Sequence, residues 1–200
     1  IKLLNRNFPS FNDSTNDGFN DFYKILDFAK GFLKGSKMDV NGYKGKLLEL
    51  TLKKRKGTYH SNILDKKNNK LIDLPDTGWT ILKPGDGWEL TFKCGLSCPP
   101  HLAAHVHSDL LSFNLYHLGE EIITETGTSS YKKGMYRDYE RSSAAHNSLQ
   151  LGLNIKNKFH GQEPIDVWNV FRAGKKAKPL NKAYGYLDNW LWVQGSHDGF

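Results

Sequence analysis

The sequence predicts a mainly β protein, an antiparallel β-sandwich, and three observations support this fold class. After Met38, short apolar runs alternate with turn residues at intervals of about ten residues, as expected for antiparallel strands joined by short loops. Two of the intervening segments, Lys83–Gly87 and His117–Glu120, have the residue types of hairpin turns. The 19 glycines and the 12% aromatic content also suit a β-rich chain with many turns.

The predicted strands are short and closely spaced. They are Lys46–Leu52, Trp79–Leu82, Trp88–Lys93, Leu110–Tyr116, Glu121–Thr124, Ser148–Leu153, Val167–Phe171 and Trp190–Gln194. Two basic segments, Lys53–Lys56 and Lys66–Lys70, are predicted as exposed loops or strand ends.

One segment, Gly18–Leu33, is predicted as an amphipathic helix. Its apolar residues recur at helical spacing, the residues Asp13 to Thr15 supply N-cap chemistry, and Gly35 is a plausible stop. The sequence therefore divides near residue 40 into a helical end, residues 1–40, and a β domain, residues 41–200. Because a single amphipathic helix needs a partner, and because the chain ends directly after a strong strand signal, we expect a fragment of a larger protein, truncated at its C-terminus.

Charge and composition narrow the class of partner. The net charge of +7 favours anionic partners such as nucleic acids, acidic glycans or a membrane surface. No helix-turn-helix or RNA-recognition signature is present and the basic residues are spread along the chain, so nucleic acid is not the expected partner. No apolar run approaches the roughly 20 residues that span a bilayer. The two cysteines, Cys94 and Cys98, could close a small loop or be free thiols.

The densest cluster of chemically useful residues is His101-Leu-Ala-Ala-His105-Val-His107-Ser-Asp109. On a strand, alternate side chains share a face, so His105, His107 and Asp109 are expected to point the same way. Polar groups on a buried face need partners, and a metal ion is one such partner. The alternative is a pair of structural histidines with ordinary hydrogen bonds.

Two further stretches complete a recognisable pattern. The first is Glu125-Thr-Gly-Thr-Ser-Ser-Tyr131, and the second is Arg137-Asp-Tyr-Glu-Arg141-Ser-Ser-Ala-Ala-His146-Asn-Ser. A histidine-rich segment, an acidic residue before a glycine turn with a nearby tyrosine, and then this arginine-rich block ending in Ala-His-Asn resemble the heparinase II/III-like polysaccharide lyases. The resemblance extends over nearly the whole chain, and its specific parts are the segments 105–115 and 137–148.

The resemblance implies an N-terminal α/α toroid joined to a large antiparallel β-sandwich, with the reaction in the cleft between them. This chain would hold the end of the toroid and part of the sandwich. The remaining catalytic groups of the family lie in the toroid, so this chain alone is expected to be inactive.

The resemblance also assigns roles to individual residues. His105 and Tyr131 are the expected catalytic residues, and Arg137 and Arg141 are expected to bind the substrate carboxylate or sulfate groups. A zinc ion would be held by His107, Glu125 and His146, although the family pattern usually has aspartate where this sequence has Glu125. On a strand the two arginines would share a face, but they could equally pair with Asp138 or Glu140. His146 could likewise be a core histidine bonded to the backbone.

Two function classes follow from these expectations. The first is a lyase that cleaves a uronate-containing acidic polysaccharide, of the glycosaminoglycan or alginate type, by β-elimination in the bacterial periplasm or outside the cell. The second is a non-catalytic glycan-binding or capsule-assembly protein of the same fold. In both, the expected partner is an acidic polysaccharide, with a homo-oligomer possible and no membrane span.

Overall fold

A computed structural model of the protein describes residues 61–200 except residues 67, 100, 102, 103, 156, 157 and 169. The predicted helix Gly18–Leu33, the predicted strand Lys46–Leu52 and the basic segment Lys53–Lys56 lie outside the described residues, as does the predicted domain boundary near residue 40. All described residues belong to one compact unit.

The described part is built from antiparallel strands and contains one short α-helix. The strands are β1 (Asn62–Lys66), β2 (Asn69–Leu74), β3 (Trp79–Lys83), β4 (Trp88–Lys93), β5 (Phe113–His117), β6 (Glu120–Ile123), β7 (Leu151–Ile155), β8 (Lys158–Gln162), β9 (Ile165–Trp168), β10 (Arg172–Lys176), β11 (Pro179–Leu187) and β12 (Trp190–His197). The α-helix, α1 (Met135–Arg141), is followed by a 3-10 turn, Ser143–Ala145. The predicted class, a mainly antiparallel β-sandwich, is confirmed.

Strands β1 to β6 form a single six-stranded meander in which each strand pairs with the next. A row of leucines crosses its four inner strands, because Leu71 pairs with Leu82, Leu82 with Leu90, and Leu90 with Leu115. Residues paired across strands point to the same face, so this row forms an apolar stripe perpendicular to the strands. Strand β1, at the edge of the meander, is exposed along its whole length.

The hairpin of β11 and β12 packs on this meander. Tyr186 donates its hydroxyl hydrogen to the carbonyl oxygen of Leu64 or of Asn69, at 3.1 and 2.7 Å, and Lys182 forms an ion pair of 2.6 Å with the buried Asp73. At Gly195 an added Cβ would lie 2.8 Å from the Cys94 sulfur, so the two layers meet too closely there for a side chain. The remaining strands form the hairpins β7–β8 and β9–β10.

The turns follow the sequence signals closely. Leu118 and Gly119 join β5 to β6 and both have positive φ, 47° and 90°, as the favoured two-residue hairpin turn requires. Asp86 and Gly87 likewise adopt positive φ in the turn between β3 and β4. The predicted strand Trp88–Lys93 is confirmed to the residue, and the strand predicted at Trp190–Gln194 extends to His197.

Several strand predictions have wrong boundaries. The strand predicted at Ser148–Leu153, for example, runs from Leu151 to Ile155. Leu110 and Leu111 were predicted in a strand but lie in a turn, because Leu111 has a φ of 61° that breaks the extended backbone. Phe171 was predicted at the end of a strand, but β9 ends at Trp168 and Phe171 lies in the turn that leads to β10.

The arrangement of the arginine block as a strand is also wrong. Arg137 and Arg141 lie in α1, where residues four apart share one side of the helix. The shared face that was expected on a strand is thus present, but it is a helical face. Within the described residues, no helix is long and apolar enough to cross a membrane, and both cysteines are free thiols.

Candidate active site

The segment from His105 to Ser112 is a folded loop and not a strand. His105 and Leu111 both adopt positive φ, 57° and 61°, and neighbouring residues from Val106 to Leu110 are all buried. The predicted alternation, with His105, His107 and Asp109 on one face, is therefore wrong. The loop instead leaves His105 exposed and His107 fully buried.

The buried part of this loop is secured from two sides. Asp109 is fully buried and its carboxylate forms a 2.5 Å ion pair with Lys93, the last residue of β4. Val106 and Leu110 pack in an apolar cluster with Ile165, Ala173 and Ala177 from the β9–β10 region. Apolar burial and the ion pair together hold the backbone that presents His105.

His105 and Tyr131 meet at the surface although they are distant in sequence. Their ring centroids are 6.1 Å apart with the ring planes nearly perpendicular. Both side chains are exposed, Tyr131 by 41% of its surface. The two residues expected to be catalytic therefore lie side by side in a position that a substrate can reach.

Arg137 is a buried residue that contacts the Tyr131 ring of this pair from the protein interior. Its side chain is 1% exposed, and its guanidinium carbon lies 5.2 Å from the centroid of the Tyr131 ring, a cation–π arrangement. The same group donates to the Val170 carbonyl oxygen at 2.8 Å and to the Thr128 hydroxyl at 3.0 Å. Arg137 thus supports the loop that carries Tyr131 from below.

Arg141 supports the loop that carries His105 in a similar way, by hydrogen bonds to backbone carbonyls. Its guanidinium donates to the carbonyl oxygen of Val106, at 3.0 Å from Nε and 2.8 Å from Nη2, and to that of Arg172 at 3.0 Å. Arg141 is only 1% exposed. A guanidinium has several N–H donors in a fixed planar arrangement, so one side chain can tie two backbone segments together.

The three residues expected to bind zinc gather in one buried pocket. The His107 and His146 rings lie 5.4 Å apart, and Nδ1 of His146 is in a short hydrogen bond with the Glu125 carboxylate. That carboxylate also accepts from the Ser112 hydroxyl and from the backbone N–H of Asn147. All three side chains come from different loops, so the pocket exists only in the folded chain.

The donor set suits zinc in its chemistry. Two imidazoles and one carboxylate are ordinary zinc ligands, and Nε2 of His146 is buried with no hydrogen-bond partner among the described residues. Arg137 lies beside His107, at 3.4 Å from Nη1 to Nε2, so this nitrogen of His107 faces a positively charged group. As the side chains stand, however, no three His, Cys, Asp or Glu groups in the described residues surround a common point.

Several residues of the site were not singled out from the sequence. Thr128 lies between Arg137 and His107, and Glu140 accepts a hydrogen bond from the backbone N–H of Ser129 at 3.1 Å. Asn147 donates its side-chain amide to the carbonyls of Phe113 and Thr124, which are on neighbouring strands or their ends. Asn147 belongs to the Ala-His-Asn motif, which was the available signal. Thr128 and Glu140 lie within the stretches 125–131 and 137–148, and Glu140 was considered only as a partner of the arginines.

Comparison with known proteins agrees with this architecture. Residues 66–200 match the family model described as heparinase II/III-like, C-terminal. The match covers more than half of the chain, so the protein belongs to the heparinase II/III-like family, and this part of it is the family's C-terminal domain. This family is one of polysaccharide lyases. No curated protein and no solved structure matches the chain.

Proposed function

We propose that this chain is the β-sandwich part of a lyase that cleaves a uronate-containing acidic polysaccharide by β-elimination. The observation that carries the proposal is the pairing of His105 and Tyr131, whose exposed rings lie 6.1 Å apart after a separation of 26 residues in sequence. His105 and Tyr131 are both able to transfer protons, and they lie side by side on the exposed surface of a protein that belongs to a lyase family.

The proposed reaction has defined requirements. A base removes the proton on the carbon next to the uronate carboxylate, the electron pair forms a carbon–carbon double bond, and the glycosidic C–O bond breaks. The leaving oxygen takes a proton from an acid, and the carboxylate must be neutralised while negative charge develops on it. We assign the proton-transfer step to the Tyr131 hydroxyl, and we assign positioning or neutralisation of the carboxylate, or a second proton transfer, to His105.

Arg137 and Arg141 support the two loops in this proposal. Direct binding of substrate by these arginines stays a prediction. Their burial and their bonds to backbone carbonyls favour the alternative, in which they hold His105 and Tyr131 in place.

We further propose that zinc binds the pocket of His107, Glu125 and His146. The buried Nε2 of His146, which has no hydrogen-bond partner within the described part of the chain, supports this proposal. Glu125 bonds to Nδ1 on the opposite edge of the same ring, so it would have to leave that bond to become a ligand. A bound zinc ion would supply a fixed positive charge and would tie together the three loops that surround the active site.

The proposed partner is an acidic polysaccharide in the periplasm or outside the cell, in line with the family and with the net charge of +7. Heparan-, chondroitin- and alginate-type polymers all carry uronates and are the candidate substrates. A homo-oligomer stays a prediction.

The lyase proposal is tested by absorbance in the ultraviolet, which reports the unsaturated uronate product. The complete polypeptide that carries this sequence is assayed with heparan, chondroitin and alginate polymers. Tyr131→Phe and His105→Ala should each lower kcat by at least about 100-fold, since a positioned acid–base group contributes about 100- to 10,000-fold. Tyr136→Phe, which removes the hydroxyl of an exposed tyrosine on α1, is the matched control and should retain activity.

Two results would contradict this assignment. Full activity of Tyr131→Phe would remove Tyr131 from the proton-transfer step. Binding of these polymers without any cleavage would favour the non-catalytic glycan-binding function of the same fold.

The metal proposal is tested separately, by elemental analysis and by thermal unfolding with and without a chelator. The wild type should contain about one zinc per chain and lose thermal stability on chelation, because a metal bound only by the folded state stabilises it. His146→Gln should lack both the zinc and the response to chelator. His117→Gln, which changes a histidine stacked on Trp88 in the meander, should keep both. Wild-type protein without stoichiometric zinc would rule the site out.

A further inference from the structure

The turn between β9 and β10 is fastened to the active site through three consecutive carbonyl groups. The Val170 oxygen accepts from Arg137 at 2.8 Å, the Phe171 oxygen from the backbone N–H of His105 at 3.1 Å, and the Arg172 oxygen from Arg141 at 3.0 Å. Each donor belongs to the segment 105–115 or to the segment 137–148, and both segments carry expected site residues. These three hydrogen bonds therefore fix the position of the β9–β10 turn relative to the expected active-site residues.

This anchoring places the ring of Phe171 beside both expected catalytic side chains. Its centroid lies 5.5 Å from that of His105 and 5.3 Å from that of Tyr131, with the plane of the Tyr131 ring tilted by 30° from its own. Phe171 nevertheless keeps 41% of its surface exposed. The three rings thus form one aromatic surface, called here the aromatic platform, in which Phe171 is the member without a polar atom.

The chemistry of such a ring suits a sugar. A pyranose presents C–H groups on one face, and an exposed aromatic ring offers these an apolar surface, while polar neighbours fix the orientation of the ligand. Phe171 can neither donate nor accept a proton at a reacting centre, so its effect on a substrate is through contact area.

We propose that Phe171 is a substrate-binding residue on whose exposed ring a pyranose of the polysaccharide stacks, next to His105 and Tyr131. This inference rests on the proposed function, because it takes the substrate of the same site to be a uronate polymer. It assigns the site a sugar-stacking subsite and separates binding, at Phe171, from proton transfer, at Tyr131.

The test measures KM and kcat on the uronate polymer that the wild type cleaves, using the complete polypeptide. Phe171→Ala should raise KM by about 10-fold or more, the effect of losing an apolar contact of this size, with kcat within about threefold of the wild type. Phe171→Trp keeps a flat ring and should stay close to the wild type. Trp190→Ala removes an exposed aromatic side chain of β12 and serves as the matched control, with KM unchanged.

A further variant separates stacking from simple packing. Phe171→Leu fills much of the same volume without a flat ring, so a stacking role predicts a raised KM for it as well. If Phe171 only supports its neighbours, Phe171→Leu will behave like the wild type and Phe171→Ala will lose kcat and not KM. That result would overturn the proposal. Thermal unfolding of every variant checks that the fold is kept.

The proposal can fail independently of the lyase activity. Isothermal titration with oligosaccharides of heparan sulfate, chondroitin sulfate and alginate measures binding even if nothing is cleaved. Weakening of binding by about 10-fold in Phe171→Ala, with Trp190→Ala unaffected, would support the subsite in a protein that lacks activity. Unchanged binding in Phe171→Ala, or no binding of any of these oligosaccharides by the wild type, would overturn it.

Discussion

Asp109 shows how a single residue holds the active-site loop in place. Its carboxylate is fully buried and paired with Lys93, which is itself buried at the end of β4. Removal of one member of a buried ion pair leaves the other charge without compensation, which costs about 3–5 kcal/mol. The loop that presents His105 therefore depends on a pair that lies outside the aromatic platform.

We predict that Asp109→Ala lowers the free energy of unfolding by about 3–5 kcal/mol, because the buried ammonium group of Lys93 loses its ion pair with Asp109. Denaturant unfolding followed by circular dichroism measures the change. The double variant Lys93→Met with Asp109→Leu removes both charges and should recover most of the loss. A loss below about 1 kcal/mol in the single variant would show that the pair contributes no more than an exposed one.

At the scale of elements, one tight turn of the six-stranded meander shows why a particular residue is required at its position. Gly78, in the turn between β2 and β3, has a φ of 76°, and its carbonyl accepts from the Cys94 N–H at 2.8 Å. An added Cβ would lie 2.2 Å from the Cα of Gly95. Glycine is thus required at this position both by the backbone conformation and by the contact with the neighbouring segment.

We predict that Gly78→Ala destabilises the protein by more than about 1 kcal/mol, because it combines an unfavourable φ with a backbone clash. Gly85→Ala is the matched control, since an added Cβ there has no neighbour within 4 Å, and it should change stability by less than about 0.5 kcal/mol. Chemical denaturation of both variants measures the difference. Equal effects at the two positions would contradict the packing argument.

The whole molecule is expected to lose stability at alkaline pH through its tyrosines. Burial raises the pKa of Tyr116 to about 12 and also raises the pKa values of Tyr184 and Tyr186 above their ordinary value. Tyr184 and Tyr186 bond to β1 and β2 from the β11–β12 hairpin, so their hydroxyl groups join the two layers.

The direction in which stability changes with pH follows from the raised pKa values of these tyrosines. The folded state keeps the Tyr116 proton after the unfolded state has lost it, so this contribution is complete below pH 10 and disappears as pH rises toward 12. We predict that the free energy of unfolding falls in this window, with Tyr116 contributing a slope of up to about 1.4 kcal/mol per pH unit. Denaturant unfolding between pH 8 and 12 measures the slope, which should be smaller for Tyr116→Phe. An identical slope in that variant would contradict the assignment.

Much of this fold could be predicted from local sequence. Along strand β4, buried residues alternate with residues that are half-buried or exposed, and the hairpins at Asp86-Gly87 and Leu118-Gly119 follow turn chemistry that acts within a few residues. The family resemblance predicted that five residues share a site. The structure places them in two adjoining groups: His105 with Tyr131, and His107 with Glu125 and His146.

The sequence by itself determined the antiparallel β class and the hairpins β3–β4 and β5–β6, because alternation and turn residues express preferences of the local backbone. Only the tertiary structure decided that the segment 105–112 is a loop, since its backbone N–H groups at His105 and Ser108 donate to the distant carbonyls of Phe171 and Arg141. It also decided that the arginine block is a helix whose guanidiniums bind distant carbonyls, and that Phe171 joins the aromatic platform. Contacts between residues 30 or more apart leave no periodic trace in a single sequence, because they arise only when the chain has folded.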